Sequence, residues 1–186
     1  SADLPSSVEF VDQSSLGRTA RGNPASYTGV FTSIREFFGT SSEAAEAGAS
    51  PADFSFNSGK GRCPHCAGTG WEHVEMQFLS DIYLPCPVCR GRRWQDWILA
   101  VRPELDDGVR RSIDEVLDLT VEEAAAAFAN HPAIIKSLSL LSLTGLGYLK
   151  LGQPLSTLSG GERQRLKLAA RIAEGIPQKH RRSDAA

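Results

Sequence analysis

Apolar and polar residues alternate from Val8 to Asp12, which predicts a short strand. The run QSSLGRTARGNPAS that follows is dense in Gly, Ser, Pro and Asn and reads as a loop. Val30, Phe31, Ile34, Phe37 and Phe38 then recur at helical spacing, predicting a helix from about Tyr27 to Phe38 stopped by Gly39. Residues 40–53 are mostly Ser, Ala, Glu and Gly, expected as a linker that would also tolerate a short helix. Val74, Met76 and Phe78 alternate with polar neighbours and predict a strand, and Trp94 to Val101 predicts another. Helices dominate the remainder. Ser112 caps a short one through Leu117, and Thr120 with Glu123 has capping-box spacing ahead of the Ala run. Pro132 opens a helix to about Leu143, broken by Gly145 and Gly147. Ser159 with Glu162 repeats the capping-box spacing, and the last helix runs to about Ala173 before Gly175 and Pro177. The tail QKHRRSDAA is expected to be disordered. The two cysteine pairs are the one internal repeat.

With 186 residues, 41% of them hydrophobic and 23% charged, the chain suits one domain, or one domain carrying a small module. The net charge of −2 hides an asymmetry. Residues 104–123 are mostly acidic and residues 163–182 mostly basic. No apolar run approaches the ~18 residues of a membrane span. The SADLPSS start lacks the basic and apolar stretches of a secretory signal. These features lead us to expect a cytoplasmic location, no membrane contact, and reduced thiols.

Reduced thiols matter because the cysteines come as Cys63-x2-Cys66 and Cys86-x2-Cys89, 19 residues apart. Each CxxC forms a knuckle that turns two thiolates to one point, and two knuckles complete a tetrahedron around one Zn²⁺. Four thiolates leave no position for water, so the site should be structural. A redox pair or unrelated buried thiols are the alternatives. Gly68, Gly70 and Gly91 let the backbone turn beside the metal. His65 and His73 read as surface residues. Lys60, Arg62, Arg90, Arg92 and Arg93 flank the knuckles and would converge into a phosphate-binding cluster for nucleic acid. The plainer alternative is a solvated surface balanced by Glu72, Glu75 and Asp81.

The other informative run is LSGGERQR, with Ser159, Gly160, Gly161 and Glu162 opening an amphipathic helix. A helix N-terminus offers unpaired N–H groups and partial positive charge, and two glycines let a phosphate approach closely. An ordinary capping box is the alternative, but five matching residues in a row argue against it. The run resembles the signature motif of ABC-type ATPases, which presses on the γ-phosphate of ATP held by an opposite nucleotide domain. No GxxxxGK[ST] loop is found, and Asp114-Glu115 follows a single isoleucine rather than the apolar strand of a Walker B site. The chain on its own is therefore not expected to hydrolyse ATP, and it holds no catalytic residue in isolation.

Taken together, VDQSSLGRTARGNPASYTGVFTSIREFF, FSFNSGKGRCPHCAGTGWEHVEMQFLSDIYLPCPVCRGRR, VLDLTVEEA and LGYLKLGQPLSTLSGGERQRLKLA resemble the UvrA family, damage-sensing ABC ATPases of nucleotide excision repair. The resemblance keeps the order of blocks and places the chain in the carboxy-terminal half, between phosphate-binding loop and Walker B strand. It implies a mixed α/β fold: a partial ABC ATPase core edge, a helical signature domain and an inserted four-cysteine zinc β-hairpin module. The corresponding divisions are 1–39 for the Q-loop region and following helix, 40–53 for the linker, 54–101 for the zinc module, 102–175 for the signature domain and 176–186 for the basic tail. Gln13 matches the Q-loop glutamine, which reaches Mg²⁺ and the attacking water. Ser159, Gly160, Gly161 and Glu162 match the signature, Gln164 a residue of its helix, and Cys63, Cys66, Cys86 and Cys89 the zinc ligands. The implied partners are double-stranded, damaged DNA, a second copy of the family chain and UvrB, with a nuclease acting later. ATP and Mg²⁺ would be bound only in a complete assembly.

Departures from the family pattern are Ser14-Ser-Leu-Gly17, Phe78-Leu-Ser-Asp81 and Arg163, where the family has SPIG, FLPD and an alanine. They leave room for a UvrA-like paralogue of the drug-resistance kind. A second class of function is a stand-alone zinc-dependent adaptor for DNA or protein without ATPase activity. The CPHCAGTG run also fits the CxxCxGxG repeat of a chaperone zinc domain, but CPVCRGRR fits only in part and LSGGE has no place there.

Overall fold

The computed structural model describes residues 21–74 and 82–175. The strand expected at Val8 to Asp12, the Q-loop Gln13, the alternating Met76 and Phe78, and the tail lie outside them.

Asn23 begins the described structure by accepting from the Ser26 N–H at 2.8 Å, while the Ser26 hydroxyl accepts from the Asn23 N–H at 3.1 Å. This reciprocal cap starts α1 (Pro24–Tyr27). Gly29, at φ +78°, then turns the chain, so the single helix predicted from Tyr27 is instead α1 followed by α2 (Val30–Gly39). Val30, Phe31, Ile34 and Phe38 are buried, the stripe the sequence predicts. Within 40–53, Ser41 caps the short α3 (Ser42–Glu46) through the Ala44 N–H.

An antiparallel hairpin follows, β1 (Trp71–Val74) with β2 (Ile82–Pro85), in register from Trp71 against Pro85 to Val74 against Ile82. The strand predicted over Trp94 to Val101 is not formed. Trp94 makes only an isolated bridge to Arg62, and α4 (Asp96–Leu99) takes over. The reason lies in the burial: Asp96 and Trp97 are exposed and Ile98 and Leu99 are both buried, a pairing that a two-residue strand period cannot give. Gln95 fixes the turn by donating its side-chain amide to the Lys60 and Arg62 carbonyls.

Capping boxes at Ser112 and Thr120 start α5 (Ile113–Asp118) and α6 (Val121–Ala127) where the sequence places them. The 12-residue α7 (Pro132–Leu143) packs against α2, α6 and α8 (Gly160–Gly175). The loop between α7 and α8 is tied back: the Val121 and Glu122 N–H groups donate to the Leu149 and Gly147 carbonyls, and Leu151 donates to Leu119. Its next stretch is tied to the start of the described chain, with Ala25 donating to Leu151 and Leu155 donating to Gly22. One apolar core joins residues from Ala25 to Ala169 and supplies the hydrophobic stabilisation. The four cysteines form a separate buried cluster. No helix among the described residues is long and apolar enough to cross a membrane.

Candidate functional site

The cysteine site is built from two copies of one turn. After each CxxC, the backbone takes positive φ at the next two residues and again at the fourth: Ala67, Gly68 and Gly70 in the first knuckle, Arg90, Gly91 and Arg93 in the second. The knuckles are joined reciprocally. The Cys63 N–H donates to the Arg93 carbonyl at 2.8 Å, and the Cys86 N–H donates to the Gly70 carbonyl at 2.9 Å. The Cys66 sulfur accepts from the Gly70 N–H at 3.3 Å, and Cys89 accepts from the backbone N–H of Arg93. Two short loops are thereby held in approximate twofold relation with their thiols facing inward.

All four Sγ atoms lie within 4.8 Å of one another and all four residues are buried. Cys63 and Cys86 are 4.0 Å apart and Cys66 and Cys89 3.7 Å apart, sulfur to sulfur. A tetrahedron with metal–sulfur bonds of about 2.3 Å has edges of about 3.8 Å, whereas a disulfide needs about 2.05 Å. The residues therefore fit a single tetrahedral metal ion and form no disulfide. The electrostatics agree. Burial pushes the Cys63 thiol up. Burial and the neighbouring Cys86 and Cys66 push Cys89 up to about 12. On Cys66 burial is outweighed by N–H groups of Gly70 and Gly68 and by the thiols of Cys89 and Cys63, which bring it to about 7. Four thiolates cannot share this space without a cation among them.

The second site is the start of α8. The Ser159 hydroxyl accepts from the Glu162 N–H at 3.3 Å and the Glu162 carboxylate accepts from the Ser159 N–H at 2.7 Å, the reciprocal cap that the sequence predicts. A Cβ added at Gly160 or Gly161 would meet nothing within 4 Å, so this face of the backbone is open. Ser159 is exposed, and its hydroxyl proton remains available because the cap uses only its oxygen. Tyr148 donates to the other Glu162 oxygen at 2.6 Å. The Tyr148 hydroxyl and the Ser159 N–H together hold the Glu162 carboxyl down at about 2.

No protein-family model matches the chain. Among curated proteins, UvrABC system protein A of Methanothermobacter thermautotrophicus is 52% identical over 166 residues, covering 89% of this chain and 17% of that protein. UvrABC system protein A of Thermus thermophilus is 51% identical over 162 residues, covering 87% and 16%. The crystal structure of UvrA2 from Deinococcus radiodurans superposes with a TM-score of 0.80 at 46% identity, over 89% of this chain and 19% of that one. The chain matches a UvrA segment in sequence and fold. It spans about one sixth of the length of the curated relatives it matches.

The five cations expected to converge around the knuckles are placed differently from one another. Lys60 and Arg90 are exposed. Arg62 donates to the Asn57 carbonyl at 2.6 Å. Arg92 pairs with Asp114 on α5 at 2.9 Å. Such a surface pair contributes roughly 0–1 kcal/mol, so a phosphate can compete for Arg92. Arg93 corrects the expectation: it is 6% exposed and lies over the Phe56 ring at 5.1 Å, inside rather than on the surface. A groove of about 450 Å³ separates the second knuckle from α5, lined by Trp71, Arg90, Arg92, Asp114, Lys150 and Gln153 among others. His65 is on the surface beside Glu72, and His73 stacks on Tyr83 across the hairpin at 4.9 Å. Asp114 and Glu115 lie in the first turn of α5, where they serve as an ion-pair partner and a helix cap. Tyr148 carries no local sequence signal, since its partner is 14 residues away across a loop. Aligning CPHCAGTG with CPVCRGRR sets Arg93 opposite Gly70, but its burial against Phe56 carries no local signal.

Proposed function

We propose that the chain serves as the zinc-stapled, signature-bearing segment of a UvrA-type, DNA-associated ABC ATPase, in a reducing cytoplasm. The observation that carries this reading is the start of α8, where a reciprocally capped Ser159 and two uncovered glycines leave an N–H-rich helix terminus open to an anion. Ser159, Gly160 and Gly161 would donate to the γ-phosphate of ATP held by an opposite nucleotide domain, with Glu162 keeping the turn in shape and Gln164 following in its helix. Gln13 would contribute the Q-loop contact to Mg²⁺ and the attacking water. Zinc, held by Cys63, Cys66, Cys86 and Cys89, supplies a fixed cross-link between the knuckles. The decisive experiment reconstitutes the chain with a partner chain carrying the phosphate-binding loop and Walker B strand. Ser159→Arg should lower ATP hydrolysis by at least about tenfold, since it blocks a phosphate donor. Unchanged hydrolysis would remove the signature role.

Double-stranded DNA, UvrB and a second UvrA copy are the partners that this reading implies. For DNA, the support is the exposed Lys60, Arg90 and Arg92 beside the hairpin, whose Trp71, Tyr83 and Leu84 are exposed as well. Affinity for duplex DNA should fall steeply as salt rises, each phosphate contact made contributing about −0.9 to the log–log slope. A flat salt dependence would mean the cations are merely solvated. Binding that is fully developed in the isolated chain, with no gain from an ATPase partner, would instead favour the adaptor reading, which this exposed surface also supports.

A further inference from the structure

Arg93 occupies the position in the second knuckle that Gly70 occupies in the first, and both have positive φ. Glycine adopts that conformation freely, whereas arginine at φ +75° is strained. That backbone turns the side chain inward, over the Phe56 ring and past Gly70 of the first knuckle. Gly70 leaves the room for it, since a Cβ there would come within 3.1 Å of the Arg93 Cγ. The guanidinium is buried, its Nη1 finds no hydrogen-bond partner, and no carboxylate among the described residues pairs with it. A second cation, Arg21, is near enough to repel it and donates to the Ala67 carbonyl of the first knuckle at 2.7 Å. Its own backbone is part of the cluster: the Arg93 carbonyl accepts from the Cys63 N–H at 2.8 Å and the Arg93 N–H donates to Cys89.

A buried cation without an anion is costly, and here the missing anion has an evident source. Four thiolates around one divalent ion carry a net charge of −2. We infer that Arg93 is the charge-balancing positioning residue of the metal centre, its buried guanidinium offsetting the excess negative charge of the loaded thiolate tetrad. The inference rests on the zinc reading above. It assigns a cation next to the knuckles to holding metal rather than to nucleic acid. The guanidinium and the loaded tetrad would then stabilise each other, while the Phe56 ring holds the cation from 5.1 Å.

The test measures zinc affinity of the full chain by competition with a chromophoric chelator at fixed pH, with helical content followed by circular dichroism. Arg93→Met keeps a stem of similar length and removes the charge. Arg93→Gly copies the first knuckle and relieves the strained φ. Both should bind zinc about 10- to 100-fold more weakly than the wild type, the range seen when a residue supporting the ligands is lost. Arg93→Lys, which keeps the charge but not the planar stack on Phe56, should stay closer to wild type than either. Wild-type affinity in the Met or Gly variant, or a Lys variant weaker than Met, would overturn the inference and leave Arg93 a packing residue. Should the Met variant fail to fold, the order of Lys above Gly decides the matter. A wild-type chain that binds no zinc at all would instead sink the zinc reading itself, so the two failures are distinguishable.

Discussion

Glu162 shows how much a single exposed carboxylate can organise. One oxygen accepts from the Tyr148 hydroxyl and the other from the Ser159 N–H, and these contacts hold its carboxyl down at about 2. The sign of the linkage follows from the direction. A carboxyl depressed in the folded state favours folding above its unfolded value, about 4.3, and that contribution disappears as the pH falls through about 2. Tyr148→Phe removes the larger contact and leaves the Ser159 N–H. The Glu162 titration midpoint, followed by NMR of the side-chain carboxyl carbon, should therefore rise toward the ordinary range, and acid unfolding should begin at higher pH. An unmoved midpoint would show that Tyr148 does not hold the carboxylate. The Ser159–Glu162 half of this arrangement was legible because a helix cap is a local code with a fixed spacing. The Tyr148 half was not, because it depends on how the loop after α7 folds back over α8. The same contrast separates the cysteines from Arg93. CxxC spacing announces metal ligation in isolation, while the burial of a neighbouring arginine is decided by Phe56, which is far away in sequence.

At the scale of elements, the sequence was read best where polar caps and apolar periodicity agree. Thr120 and Glu123 mark the start of α6 by reciprocal capping, and Pro132 marks α7 by its fixed φ at the first helical position, both being local signals. The two misplacements have different causes, a set of distant contacts in one and a single turning glycine in the other. Over Trp94 to Val101, the Trp94 indole donates to the Phe54 carbonyl at 3.1 Å and Gln95 reaches back to Lys60 and Arg62. Those anchors end the bridge to Arg62 after one residue and release α4. Between Tyr27 and Val30 the break comes from Gly29, whose left-handed backbone ends one helix and starts the next. A glycine inside an apolar stripe is tolerated often enough in helices that its turning role shows only in three dimensions. Residues 40–53 lie between these cases, since a single serine cap at Ser41 suffices to order α3.

For the whole molecule, the decisive feature is that its two buried clusters are separate. The apolar core joins α2, α5, α6, α7 and α8, and the cysteine cluster stands outside it with a hairpin whose strand residues are largely exposed. Burial of apolar area holds the first, whereas the second has only two knuckles and a short two-stranded sheet, too small to be stable in water unaided. The two are linked through the Arg93 side chain over the Phe56 ring and the Arg92–Asp114 pair, neither of which replaces a metal staple. Removing metal from the zinc-loaded chain with a chelator should therefore unfold it in two parts. Hydrogen exchange should show the Cys63 and Cys86 amides losing protection at low chelator concentration, because ligand binding and local folding are coupled there. The amides of Leu138 and Leu141 in α7 should keep theirs, with most helical circular dichroism retained. Loss of both sets together would mean that the knuckles nucleate the entire fold. Protection unchanged in both after complete metal removal would mean that the hydrogen bonds between the knuckles hold them without metal.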